Sequence, residues 1–430
     1  MDMKKTTLFV IGLMLATTLM AGPVGKDEAK VKAQAFLSGK AGGKSGVAKA
    51  PRQQRDLSLA ATGDAYHVFN IGSDNGFVIV SASDLTPDII GYTDEGAFDV
   101  QNMPENMKEW LQGYADQIVY LEKNGVSSAA EAKGLRKAPA SVKAPIAPLI
   151  ETEWGQSDPY NYLCPKVSET YCQTGCVATA MAQILYYHNQ KEGFPVSTVK
   201  KIDAYTKGVS VKECPVTTFE WSNMQKTYTG KETTVDVKAQ AVAELMQYCG
   251  ASVGMNYGTG SSGASSSDIP QALVDYFGYD QRVKYLRRSY YSTSEWENII
   301  YQELEAKRPV YYSGSSTGGG HAFVCDGFSE DGYFHINWGW TGRGDGYFLL
   351  SVLNPNERGV GAGSSNDGYT IVQDIVIGIE KPTGSPELED GRMAVHECSY
   401  TGTTTLGRSS SCTVSYHFRL YNELSYTHDF

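Results

Sequence analysis

Between residues 150 and 380 the helix-period patterns all come first and the strand-period patterns all come last, an order that constrains the fold more than any other feature of the chain. Apolar residues recur at helical spacing over 176–188, 235–249 (Val242, Leu245, Met246, Cys249) and 269–277. Strand-like runs then cover 309–313, 321–328, 332–338, 346–351 and 370–379. Helices segregated ahead of strands predict an α+β fold whose sheet is antiparallel.

A smaller α+β unit precedes this one. "DEAKVKAQAFL" (27–37) has helical spacing, and "AYHVFNI" and "GFVIVSAS" alternate as strands around the turn signal "GSDNG". "MPENMKEWLQGYADQIVYLEKNG" predicts a helix with Trp110, Tyr114, Ile118 and Leu121 on one face and Gly125 as its stop. No cluster of residues in this unit points to chemistry. The stretch "AAEAKGLRKAPASVKAPIAPLIE", carrying Pro139, Pro145 and Pro148, separates the two units as an exposed and cleavable linker. After a second linker, "KPTGSPELED", residues 391–430 show strand patterns such as "CTVSYHFRLY" and are expected to begin a C-terminal β-rich extension that the sequence truncates.

Residues 1–21 are expected to be a signal peptide. Lys4 and Lys5 form a basic start, Leu8 to Met20 an apolar run too short for a membrane span, and Ala21-Gly22 a small-residue cleavage site. The mature form is therefore expected without a membrane span, secreted or at the cell surface, where disulfides are permitted. The full chain's formal net charge of −11 argues against nucleic acid or an anionic membrane as a partner.

Chemistry is concentrated around Cys176 in "TGCVATAMAQILYYH" (174–188), at the mouth of a helix for which Thr174 is the expected N-cap. A thiol in the first turn meets the positive end of the helix dipole and free backbone N–H groups, which favour the thiolate. A buried helical cysteine is the competing reading. A nucleophile needs a base, and the large unit offers His188, His321 and His335. His188 lies twelve residues along the same helix, about 18 Å away at 1.5 Å per residue, too far to serve. His335 is mid-strand in "YFHINWGW", where a core histidine is the simpler reading. His321, which follows three glycines and opens the strand "HAFVCDGF", is the expected base. Asn337 in the next strand is placed to orient it, with Trp338 and Trp340 shielding that bond from water. Gln156, in "EWGQSDPYN", is the candidate oxyanion donor.

Taken together, "WGQSDPYN", "TGCVATAMAQILYYH", "GGGHAFVCDGF" and "FHINWGWTGRGDGYF" resemble the signature blocks of the streptopain family of papain-like cysteine peptidases, in the arrangement of an interpain-like precursor. "AYHVFNIGSDNGFVIVSASDLTPDIIGYTDEGAFD" is similar to the inhibitory propeptide of that family. The resemblance implies a papain-like catalytic domain, a helical part plus an antiparallel sheet, over 144–381, and an inhibitory propeptide over 22–143. It implies Cys176 as nucleophile, His321 as general base, Gln156 as oxyanion donor, and Asn337 with Trp338 as supports. The function it implies is a secreted cysteine endopeptidase made as a zymogen. Its partners would be protein or peptide substrates, with an apolar side chain preferred at the second residue before the cut, and its own propeptide. No cofactor or metal is expected.

Three further matches carry less. "GTGSSG" (258–263) fits a dinucleotide-binding pattern without the surrounding βαβ unit, and under the resemblance becomes a loop of the substrate cleft. "GSSTG" (314–318) fits a serine elbow but leads into a strand, not a helix. "RGD" (343–345) sits in a glycine-rich stretch and is read as a tight turn. Among eight cysteines, Cys164 with Cys172 and Cys398 with Cys412 are possible disulfide pairs, whereas Cys249 and Cys325 fit core patterns as reduced thiols. Two other functions compete: a transglutaminase-like acyltransferase, which orients its histidine with Asp where this chain has Asn337, and a catalytically inactive surface-binding protein.

Overall fold

The structure, a computed structural model, describes residues 22–40, 56–124, 143–195, 198–228, 236–316, 319–352, 372–383, 393–401 and 415–422. The expected signal peptide, the linker before Lys143 and Cys412 lie outside the described residues.

In the N-terminal unit, helix α1 (Lys26–Lys40) turns Ala29, Ala33 and Leu37 inward at four-residue spacing. An antiparallel meander follows: β1 (Leu57–Thr62), β2 (Tyr66–Ile71), β3 (Phe77–Ser81) and β4 (Ile89–Tyr92). Helix α2 (Glu105–Asn124) buries Trp110, Tyr114, Ile118 and Leu121, the face expected from their spacing.

The larger unit opens with the hairpin β5 (Lys166–Val167) and β6 (Thr170–Tyr171), then helix α3 (Cys176–Glu192). Every residue of α3 from Cys176 to His188 is buried, so it is a central helix, closed by Gly193 in the left-handed region. The hairpin β7 (Tyr205–Lys207) and β8 (Val209–Val211) leads to α4 (Val237–Ser252), capped by Asp236, and α5 (Ile269–Phe277). Strand β9 (Lys284–Arg287) and helix α6 (Thr293–Glu305) were not anticipated. The sequence does carry a signal for α6, because Ser292 and Glu295 form a reciprocal capping box. Strands β10 (Val310–Ser316), β11 (Gly319–Phe328), β12 (Phe334–Asn337), β13 (Gly346–Phe348) and β14 (Val372–Ile377) follow as expected in order and type.

The two units share one ten-stranded sheet, ordered β1-β2-β3-β4-β13-β12-β11-β10-β14-β9, with every pairing antiparallel. The seam is the pairing of β4 with β13, Tyr92 opposite Tyr347 and Gly91 opposite Phe348. A glycine stands on each side of it. A Cβ on Gly91 would lie 2.6 Å from the Phe348 ring, and one on Gly346 would lie 2.6 Å from the Tyr92 carbonyl oxygen. The pleat of β11 sorts the core. Ala322 and Val324 face the cluster of α3, α4 and α5, while Phe323 and Cys325 face α2 and α6. Helix α2 of the N-terminal unit thus packs on the sheet of the larger one, Trp110 standing edge-on to Tyr312 and Phe323.

Strands β15 (Met393–Thr401) and β16 (Ser415–Asn422) form a separate antiparallel hairpin in the expected β-rich tail. Among the described residues, no helix is long and apolar enough to cross a membrane.

Candidate active site

Cys176 is the first residue of α3 and is 7% exposed. Its N-cap is Gly175 at φ 87, not Thr174 as the spacing suggested. A side chain on Gly175 would meet Met255 and the Ser262 carbonyl oxygen at 2.9 Å, so the turn that presents the thiol tolerates only glycine. Thr174 works sideways instead, its hydroxyl 3.0 Å from that of Thr179. The loop 258–263 backs this turn, with Ser262 Oγ donating to the Gln173 carbonyl at 2.7 Å.

Gln156 is tied through its backbone to the segment just before Cys176. Its carbonyl accepts the Thr174 N–H at 3.0 Å, and the neighbouring Gly155 carbonyl accepts from Thr179 Oγ1 at 3.3 Å. These bonds lay the segment 152–156 along the first turns of α3.

Burial pushes the Cys176 thiol up, against backbone hydrogen bonds from Ala322, Val177 and Cys176 itself that favour the thiolate. His321 does not pair with it. The pleat turns His321 with Phe323 toward α2, where Nε2 lies 3.6 Å from Glu109 Oε1, and no hydrogen bond joins it to Cys176. Burial lowers the His321 pKa despite the nearby charge of Glu105. Both shifts oppose a thiolate–imidazolium pair in this form of the chain.

Asn337 also departs from expectation. Its Nδ2 donates to the Thr152 carbonyl at 2.8 Å, and its Oδ1 accepts Gln183 Nε2 and the Gly339 N–H, each at 3.0 Å. The anticipated bond to His321 is not formed, because Asn337 is opposite Val324 in the sheet register, three residues past the histidine. Trp338 is fully buried; its Nε1 donates to the Gly344 carbonyl and its N–H to Asp345 Oδ1. The "RGD" stretch is accordingly a tight turn that holds Trp338, and burial raises the Asp345 carboxyl to about 7. His335 is a core group, 2.6 Å from the fully buried Asp326. His188 is likewise buried, against the Tyr279 hydroxyl at 3.0 Å. Cys164, Cys172, Cys249 and Cys325 are buried free thiols.

The small unit, from which no chemistry was expected, supplies side chains that touch residues of this site. Asn106 Nδ2 donates to the Trp338 carbonyl at 2.6 Å, and Glu109 faces His321. A signal was present: Asn106 precedes Trp110 by four residues, so it lies on the buried stripe of α2 where a polar side chain needs a reason.

A thiol at a helix mouth, a histidine on the adjoining strand and a foreign helix wedged over both agree with the comparisons to known proteins. The Peptidase C10 family model matches residues 154–348, and that of Spi protease inhibitor matches residues 21–118. Streptopain of Streptococcus pyogenes is 35% identical over 411 residues, covering 88% of this chain and 100% of streptopain. The chain belongs to the peptidase C10 family. A second relative, thiol protease/hemagglutinin PrtT of Porphyromonas gingivalis, is 35% identical over 395 residues, and the chain spans only 44% of its length. Among solved structures, a fragment of Prevotella intermedia prointerpain A matches with TM-score 0.63 at 31% identity, covering 77% of this chain and 100% of the fragment. This C10 chain is a cysteine peptidase precursor, and its N-terminal unit is a propeptide of the inhibitor type.

Proposed function

We propose that the chain is exported through residues 1–21 and hydrolyses peptide bonds in proteins once residues 22–143 are removed. Cys176 Sγ, as thiolate, attacks the substrate carbonyl carbon. Protonated His321 delivers its proton to the leaving amine, and water then cleaves the thioester with His321 as base. Gln156 donates to the developing oxyanion. In this reading α2 holds His321 on Glu109, and its departure frees the imidazole to swing toward Cys176, with Asn337 and Trp338 as supports. Substrates carry an apolar side chain at the second residue before the cut, as the family resemblance implies. The observation that carries the reading is the convergence of three elements at the mouth of α3: Cys176 itself, the backbone of Ala322 beside its thiol, and the Gln156 segment bonded to Thr174 two residues before it.

Lys143 Nζ lies 4.7 Å over the Tyr301 ring and the Ala144 carbonyl accepts from Tyr301 Oη at 3.2 Å. A bond docked in this way resists entry into a cleft, so the first cut falls upstream and Lys143-Ala144 is the trimmed end. The test uses full-length precursors. Cys176→Ala and His321→Ala should each remain uncut and inactive, and active enzyme should cut the Cys176→Ala chain in trans within 131–150. Gln156→Ala should lower kcat by roughly 10²–10³ with little change in KM. A fully active uncut precursor, or a Gln156 variant with only a raised KM, would overturn the corresponding role.

A further inference from the structure

We infer that Gln183 is a positioning residue for this reaction, holding the Gln156 segment in register with the nucleophile helix. Gln183 lies seven residues after Cys176 on α3, is fully buried, and ties three chain segments together. Its Oε1 accepts from Thr152 Oγ1 at 2.7 Å and from the Trp154 N–H at 3.4 Å; its Nε2 donates to Asn337 Oδ1 at 3.0 Å. Asn337 closes the ring by donating to the Thr152 carbonyl at 2.8 Å.

The segment 152–156 therefore meets α3 and the residue before its N-cap at successive points: Thr152 and Trp154 at Gln183, Gly155 at Thr179, and Gln156 at Thr174. Gln183 is the far anchor of that series. With Thr152, whose carbonyl accepts from Asn337, it ties the series to β12, the strand beside the one that bears His321. A buried amide with both ends satisfied fixes distances that apolar packing alone leaves adjustable. Sub-ångström placement of an oxyanion donor is felt in the transition state far more than in the ground state. A leucine at position 183 would fill the space but release the register, and the loss would appear in kcat.

The inference rests on Gln156 acting as the oxyanion donor, and a double-mutant cycle separates the two claims. Precursors of wild type, Gln183→Leu, Gln156→Ala and the double variant are matured by wild-type enzyme coupled to beads, which is then removed. Activity on a peptide substrate is normalised to titrated active sites. Gln183→Leu is expected to lower kcat by roughly tenfold or more at nearly unchanged KM, and to cost less than about threefold in the Gln156→Ala background. Thr152→Val, which removes one bond of the ring, should shift kcat in the same direction and serves if Gln183→Leu does not fold. Equal losses in both backgrounds, or a loss in KM alone, would overturn the positioning role while leaving Gln156 in place. A Gln156→Ala enzyme of normal kcat would instead overturn the donor assignment, and the inference with it.

Discussion

At the scale of residues, His335 shows how a core histidine differs from a catalytic one. Its Nδ1 meets Asp326 at 2.6 Å inside the sheet, and the charge of Asp326 opposes desolvation strongly enough to raise the imidazole pKa. Removing His335 leaves the Asp326 carboxylate buried beside only the Ile150 N–H. In a Cys176→Ala background, which prevents self-digestion, His335→Ala should cost about 3–5 kcal/mol in thermal unfolding. A histidine with a raised folded pKa contributes stability that is complete below its unfolded value of about 6.5 and is lost as pH rises through the folded value. The gap between the two proteins should therefore narrow on the alkaline side. Matured His335→Ala should keep its kcat per titrated site below its melting temperature; a dead enzyme there would return His335 to the list of candidate bases. Cys176 and His321 stand out in the sequence because their types and positions in the pattern are chemically unusual. The Gly175 cap does not, because what excludes a side chain there is Met255 and Ser262, some eighty residues away. The partners of Asn337 were hidden for the same reason.

At the scale of elements, helix order, strand order and the buried stripes of α2 and α3 could be read from periodicity. Strand β9 carries little pattern, and the sequence signal of α6 is its capping box. The joining of two sheets at β4 and β13 has no local signature, since Tyr92 and Tyr347 are some 250 residues apart and either edge alone looks like any short strand. The glycine pair at that seam gives a direct test. Gly91→Val drives a branched side chain into Phe348, and overpacking of this kind costs roughly 1–3 kcal/mol. The variant precursor should mature about tenfold faster than wild type, followed by gel from a common starting concentration. Its matured form should be kinetically identical to wild type, because residue 91 leaves with the propeptide. An unchanged maturation rate would mean that the strand seam contributes nothing to latency.

At the scale of the whole molecule, a single sheet spans what the sequence presents as two units, joined at the pairing of β4 with β13. Cutting the linker between them removes no hydrogen bond between β4 and β13 and no contact of α2 with Trp338. What the cut removes is the tether. Before it, the propeptide faces the site at an effective concentration fixed by chain length; afterwards it faces the site at its concentration in solution. Freshly nicked enzyme should therefore gain activity per site on dilution while its propeptide is still intact on a gel. Activity per site that is independent of total concentration would show that cleavage itself dismantles the seam. Departure of the propeptide, rather than the cut, would give β13 an open edge beside Tyr347, a row of backbone donors and acceptors that is internal in the precursor. Latency after the cut would then rest on a binding equilibrium, and dilution would set how far it is relieved.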